Sequence, residues 1–251
     1  MIFKTPEESH THSLRTLDAL YEYDDFMMSI NTMADIGCGE GLDLEWWATR
    51  TFRDDSNEPL NIKCTGIDIT NFCPIAQNYR NVKFISQDFE DPLRIHKTTF
   101  DVIWSHNALQ YATNPLKTLS NWWHAMSDGG MLAIVVPQTT NMEFNTQAFD
   151  QHDGHYFNWT MGSLIHALAV NGFDCSAGFF LKEPGDPWLH AVVYKSDHAP
   201  LDPKKTRWYD LADLGLLPAS AVASVTKFGY LRQRDLVLPW VNKALNPMNR
   251  E

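Results

Sequence analysis

Asp35, Gly37, Gly39 and Gly41 fall at alternate positions within TMADIGCGEGLDLEWWA, residues 32–48. Met33, Ala34 and Ile36 surround the acid with a short apolar run, and Leu42, Leu44, Trp46 and Trp47 open an amphipathic one. The pattern predicts a strand, a tight turn and a helix. Glycine stands where a Cβ would stop the turn from closing or a ligand from approaching the backbone. The N–H groups that open the helix face whatever lies over the turn, so a small polar ligand is implied. Dinucleotide-binding turns space their glycines G-x-G-x-x-G, whereas here the third glycine comes one position early. An ordinary strand-to-helix loop has the same appearance, so further contacts must come from the rest of the chain.

Three later stretches offer such contacts. Ile62–Asp68 reads as a strand ending in an acid, a position from which carboxylates accept hydrogen bonds from ribose hydroxyls about 20 residues past the turn. The gap is wider here because a charged, proline-containing loop, residues 51–61, is inserted. Val82–Ser86 reads as a third strand followed by Asp88, which on its own could be a helix cap. Phe100–Ser105 is a buried-strand pattern followed by His106-Asn107-Ala108-Leu109-Gln110. Ligands of doubly wound sheets lie beyond the carboxyl ends of the strands, so Ser105, His106 and Gln110 are expected to face a cleft. His106 is the first candidate for a catalytic base because imidazole titrates near neutral pH; shaping the pocket is its alternative role.

Asp35 to Gly41 matches D-x-G-x-G-x-G in full and resembles motif I of the class I S-adenosylmethionine-dependent methyltransferases. The resemblance extends over about 35–195. It implies that Asp35, Gly37, Cys38, Gly39 and Gly41 pack against the methionine and ribose parts of S-adenosyl-L-methionine. It also implies that Asp68, with Ile69 after it, holds the ribose, and that Asp88 and Phe89 meet the adenine. Ser105 would stand near the methyl-bearing sulfonium. The polar, aromatic stretch 138–158 corresponds to an insertion that helps to build the acceptor pocket. Within it His155 is the second candidate for acceptor chemistry, ahead of His152, Asp153 and Tyr156. No metal is implied, because methyl transfer needs none and no spaced ligand set is evident.

The elements that must position these residues follow from periodicity. Helical spacing within 9–30 predicts a leading helix whose His10, His12, Tyr21 and Tyr23 could lid the site. Helices are expected over Pro115–Ser127, stopped by Asp128-Gly129-Gly130, and over Thr160–Asn171; strands are expected over Met131–Pro137, Phe173–Leu181 and Leu189–Tyr194. The expected fold is α/β, a seven-stranded, mostly parallel, doubly wound sheet with an antiparallel last strand. A methyltransferase domain would span residues 1–196 including the leading helix. Residues 197–251 would be a helical extension on the same domain, with helical character over Trp208–Leu217 and Leu236–Leu245.

Composition narrows the function. The chain has 251 residues, and its hydrophobic and charged fractions (44% and 20%) are those of a globular protein. No apolar run approaches the roughly 20 residues of a membrane span and the N-terminus lacks a signal-peptide core, so a cytoplasmic location and no membrane partner are expected. The four cysteines lack metal or disulfide spacing and read as small buried side chains. A net charge of −11 disfavours a nucleic-acid partner, although residues 204–251 carry eight Lys/Arg against four Asp/Glu. A methyltransferase acting by direct displacement on a small-molecule acceptor is the expected function. An RNA or protein acceptor, a non-catalytic cofactor-binding partner subunit and a nicotinamide-dependent oxidoreductase are the alternatives. The C-terminal extension is a candidate homodimer surface, lid or contact for an acidic substrate.

Overall fold

The computed structural model describes residues 6–22, 27, 29–51, 58–93, 99–138, 155–182 and 187–241. Seven strands form one sheet: β1 Thr32–Ile36, β2 Lys63–Asp68, β3 Val82–Ser86, β4 Phe100–His106, β5 Met126–Pro137, β6 Phe173–Leu181 and β7 Trp188–Lys195. Their spatial order is β3-β2-β1-β4-β5-β7-β6. β1 pairs parallel with β2 and β4, β2 with β3, and β4 with β5, whereas β7 is antiparallel to both β5 and β6. This is the doubly wound α/β sheet that the sequence predicts. The order reverses between β1 and β4, so the crevice that takes ligands in such sheets opens at their carboxyl ends.

The central strands are apolar at nearly every position because both faces are covered. Ala34, Ile36, Ile103, Leu132 and Ile134 point to one layer, and Met33, Val102, Trp104, Met131 and Ala133 to the other. Helices α1 (Pro6–Tyr21) and α2 (Leu42–Ala48) cover the second layer with Leu17, Leu20, Leu44 and Trp47. Helices α3 (Pro115–Ala125) and α4 (Met161–Val170) cover the first with Leu119, Trp122, Leu164 and Leu168. α4 is capped as its sequence suggests, Thr160 Oγ1 accepting from Ser163 N at 3.1 Å.

Two local expectations are corrected. α3 ends at Ala125, and the Asp128-Gly129-Gly130 segment lies in an irregularity of β5, between the pairs Phe100–Met126 and Val102–Met131. A Cβ on Gly130 would come 2.9 Å from Ser127 O and 3.1 Å from Phe100 O, so the glycine serves a close backbone approach and not a helix stop. Beyond the sheet the chain forms α5 (Trp208–Asp213) and α6 (Ala219–Phe228); Leu211 of α5, Ala221 of α6, and Leu216 and Leu217 between them join the first core layer. The helix expected from Leu236 is absent over 236–241. Burial alternates there, with Leu236, Leu238 and Trp240 inside and Val237 exposed, which is the period of an extended chain. Phe180 N donates to Pro239 O at 2.7 Å, and proline at 239 has no N–H for a helix. Residues 242–245 of that expectation lie outside the described residues, as do residues 139–154, including His152 and Asp153, and Tyr23.

Candidate active site

β1 delivers the chain into a turn whose glycines all have positive φ, 77° at Gly37, 51° at Gly39 and 93° at Gly41. The N–H groups of Gly37 and Cys38 both donate to Ile67 O, at 2.8 and 3.3 Å, which binds the turn to the end of β2. A Cβ on Gly37 would stand 2.3 Å from Ala108 Cβ, so a side chain there would push the β4 loop away. Gly39 differs, because nothing lies within 4 Å of the place a Cβ would occupy. The turn is thus close-packed behind and bare in front. In front of it lies a cleft of about 230 Å³ lined by His10, Asp35, residues 37–43, His106 and Asn107.

Asp35, 2% exposed, has Oδ2 buried without a hydrogen-bond partner. Burial, reinforced by the negative charge of Asp43, holds its carboxyl well above the usual range, although the Leu44 N–H bond opposes this. Asp68 accepts from Gly39 N and from Thr70 N, both at 2.9 Å, one on each carboxylate oxygen. Ile69 after it is 70% exposed. Asp88 is exposed, and its Oδ1 accepts from Glu90 N at 2.9 Å, a turn-forming bond. The Phe89 ring packs edge-on to Trp122 at 6.3 Å, and Phe89 O accepts from Trp122 Nε1.

Ser105 departs from its expected orientation. It is 1% exposed and its Oγ donates to Ile36 O at 3.3 Å, because alternation along β4 sends Trp104 and His106 to one face and Ser105 to the other. Gln110 is likewise sealed at 0%, with Nε2 bonded to Asn107 Oδ1. His155 lies outside the lining of the cleft. Its Nε2 is 3.1 Å from the Tyr111 hydroxyl, and the two rings meet edge to face at 4.8 Å. The structure therefore brings Asp35, Gly37, Cys38, Gly39, Gly41 and His106 to one cleft, with Asp68 bonded to the turn through the Gly39 N–H. His155 is not in that group.

The strongest polar cluster was not singled out from the sequence. Asp43, in the first turn of α2, is 8% exposed between the apolar Leu42 and Leu44. Oδ1 accepts from Ser13 Oγ at 2.5 Å and from His10 Nδ1; Oδ2 accepts from Trp104 Nε1 at 3.0 Å and from His106 Nδ1 at 3.1 Å. Burial pushes the Asp43 carboxyl up, but the hydrogen bonds of His10, His106 and Ser13 outweigh it and hold the group well below the usual carboxylate range. The same bond raises the His10 imidazole. An acid interrupting the buried face of a helix next to the turn was the available signal. Asn107, at the left-handed φ of 54°, also lines the cleft.

Comparison with known proteins fits this geometry. Residues 34–134 match the family model of a methyltransferase domain. Over this stretch the chain is similar to a methyltransferase domain in sequence as well as in fold. Among curated proteins no sequence relative is found. Solved methyltransferases share the fold at low identity. The N-methyltransferase NodS from Bradyrhizobium japonicum WM9, in complex with S-adenosyl-L-homocysteine, aligns with a TM-score of 0.53 and 16% identity over 76% of this chain and 89% of its own. The plantazolicin methyltransferase BpumL, in complex with a monoazolic desmethylPZN analog and SAH, gives 0.53 and 18% over 73% and 84%. An O-methyltransferase family protein from Burkholderia thailandensis gives 0.56 and 15% over 73% of this chain and 56% of its own. Among the described residues no helix is long and apolar enough to cross a membrane.

Proposed function

We propose that the chain transfers a methyl group to a small-molecule acceptor held between the glycine turn and His106. The bare front of the turn supports cofactor binding there, since Gly39 leaves open the space a side chain would fill and Asp35 presents an orphaned buried oxygen beside it. Gly37, Cys38, Gly39 and Gly41 would hold the amino-acid end. Asp68, whose oxygens each have one amide bond and a lone pair to spare, would take the ribose hydroxyls. Ile69 and Phe89 would flank the adenine, with Asp88 at its edge. When bound, S-adenosylmethionine would supply an electrophilic methyl carbon to the acceptor's lone pair, with its sulfur taking the C–S electron pair as the leaving group. The protein's share is proximity, orientation and exclusion of water.

The observation that carries the small-molecule reading is the depth of His106. His106, 9% exposed, lines a cleft of about 230 Å³, and its Nε2 is buried without a hydrogen-bond partner. A compact acceptor enters such a cleft more readily than a polymer surface does. Residues Tyr111 and His155, with the exposed Tyr156 and Phe157, would form the rim that receives it. Incubation with methyl-labelled cofactor and a size-fractionated cell extract tests the reading. Label in the small-molecule fraction is expected. Label only in RNA or protein would transfer the acceptor assignment, and no transfer despite S-adenosylhomocysteine binding would identify a non-catalytic subunit.

A further inference from the structure

The Asp43 cluster does more than join α1, α2 and β4. A carboxylate in contact with Nδ1 of an imidazole requires the proton to be on that nitrogen, since two acceptors facing each other repel. Asp43 Oδ2 stands 3.1 Å from His106 Nδ1, and the Trp104 indole N–H, which can only donate, fixes that oxygen from a second direction at 3.0 Å. Ser13 and His10 fix the other oxygen in the same manner. With its donors in place the carboxylate cannot rotate without breaking several bonds. The neutral ring of His106, a residue that lines the cleft, must then carry its lone pair on Nε2, which is buried and unpartnered.

We infer that Asp43 is the positioning residue of the transfer step, fixing His106 as the Nδ1–H tautomer so that Nε2 takes the proton of an acceptor hydroxyl. The inference rests on the methyltransferase reading of the site and names the acceptor class within it. The hydroxyl proton passes to Nε2, the oxygen uses its lone pair to bond the methyl carbon, and the imidazolium left behind faces the ionised Asp43. The positive charge that leaves the sulfonium reappears as that imidazolium, so charge balances within the cleft. A phenol- or enol-type hydroxyl, whose proton is lost as the bond forms, is the acceptor that needs such a base. His10, bonded to the same carboxylate from α1, ties the leading helix to the unit.

Nitrogen-15 NMR of the histidine side chains in the full wild-type chain tests this without substrate or variant. An unprotonated Nε2 and protonated Nδ1 on His106 in the neutral ring are expected, and the reverse tautomer overturns the inference. Asp43→Asn keeps the shape but loses the charge. It is expected to lose the single tautomer and to lower kcat by about 100-fold or more, the range for a general base, with KM and S-adenosylhomocysteine affinity within about threefold. A fall in cofactor affinity with kcat kept would show a structural role and refute it. If the variant does not fold, the wild-type tautomer still decides. Methyl label recovered on nitrogen or carbon and not on oxygen overturns the acceptor class. Failure of the wild-type chain to bind S-adenosylhomocysteine would instead remove the underlying reading.

Discussion

Replacing Asp68 by Ala separates the support of the turn from the binding of cofactor. In the free protein the carboxylate accepts one amide bond on each oxygen, from Gly39 and Thr70 at 2.9 Å. Hydrogen bonds to a charged group contribute about 1.5–3 kcal/mol each, less where solvent competes, and Asp68 is only half-buried. The apo protein should therefore lose about 1–3 kcal/mol of stability, read as a lower denaturation midpoint with an unchanged slope. A ribose diol adding one bond to each oxygen would contribute about another 3 kcal/mol or more, so S-adenosylhomocysteine should bind about 100-fold more weakly or worse. Isothermal titration calorimetry on the folded variant measures this directly. Asp68→Asn, with one acceptor oxygen left, should fall between. Less than a threefold change in affinity, with the stability loss present, would mean that Asp68 only braces the turn and that the ribose lies elsewhere.

Asp35→Asn should gain relative stability as pH rises. The folded carboxyl is held well above its ordinary value by burial and by Asp43, so wild-type stability falls as pH rises from the unfolded pKa through the folded one, by at most about 1.4 kcal/mol per pH unit. Asparagine has no such proton to lose, and denaturation from pH 4 to 8 should show the difference growing in its favour; a difference flat with pH would contradict the assignment. Gly37 and Gly39, two of the three glycines of the turn, should respond in opposite ways. Gly37→Ala, with φ 77° and a contact at 2.3 Å, should cost about 2–5 kcal/mol of stability. Gly39→Ala meets no protein atom and should cost only about 1–2 kcal/mol, yet weaken cofactor binding at least tenfold, since its Cβ enters the ligand's space. Equal binding by Gly39→Ala and wild type in a titration would place the cofactor off the turn.

The sheet was legible because its signals are local. Met33–Ile36 and Leu132–Val136 are runs that only a covered strand explains, and Gly37, Gly39 and Gly41 mark a turn whose positive φ angles favour glycine. The C-terminal segment was harder because tertiary contacts override its pattern there. Leu236–Val241 is an apolar series interrupted only by Pro239 and reads as a helix on paper, but one bond from Phe180 and the burial of Leu238 and Trp240 draw it out beside β6. Ser105 was misplaced by treating the end of β4 as one surface, when its side chains alternate between the two faces.

The Asp43 cluster shows a different limit. His10, Ser13, Asp43, Trp104 and His106 are spread over nearly a hundred positions, and no spacing links them. What the sequence does contain is a contradiction, a charged residue at Asp43 on a helix face whose neighbours Leu44, Trp46 and Trp47 are buried. A carboxylate in such a place must be neutralised by burial or surrounded by donors, and the two outcomes occur side by side in this cleft. Asp35, without enough donors, is pushed toward its neutral form, while Asp43, with Ser13, Trp104 and two imidazoles around it, is held ionised. Two acids eight residues apart are thus shifted in opposite directions by their surroundings alone. That opposition sets a carboxyl pushed toward its neutral form beside the turn and a carboxylate held toward its charged form against His106 Nδ1.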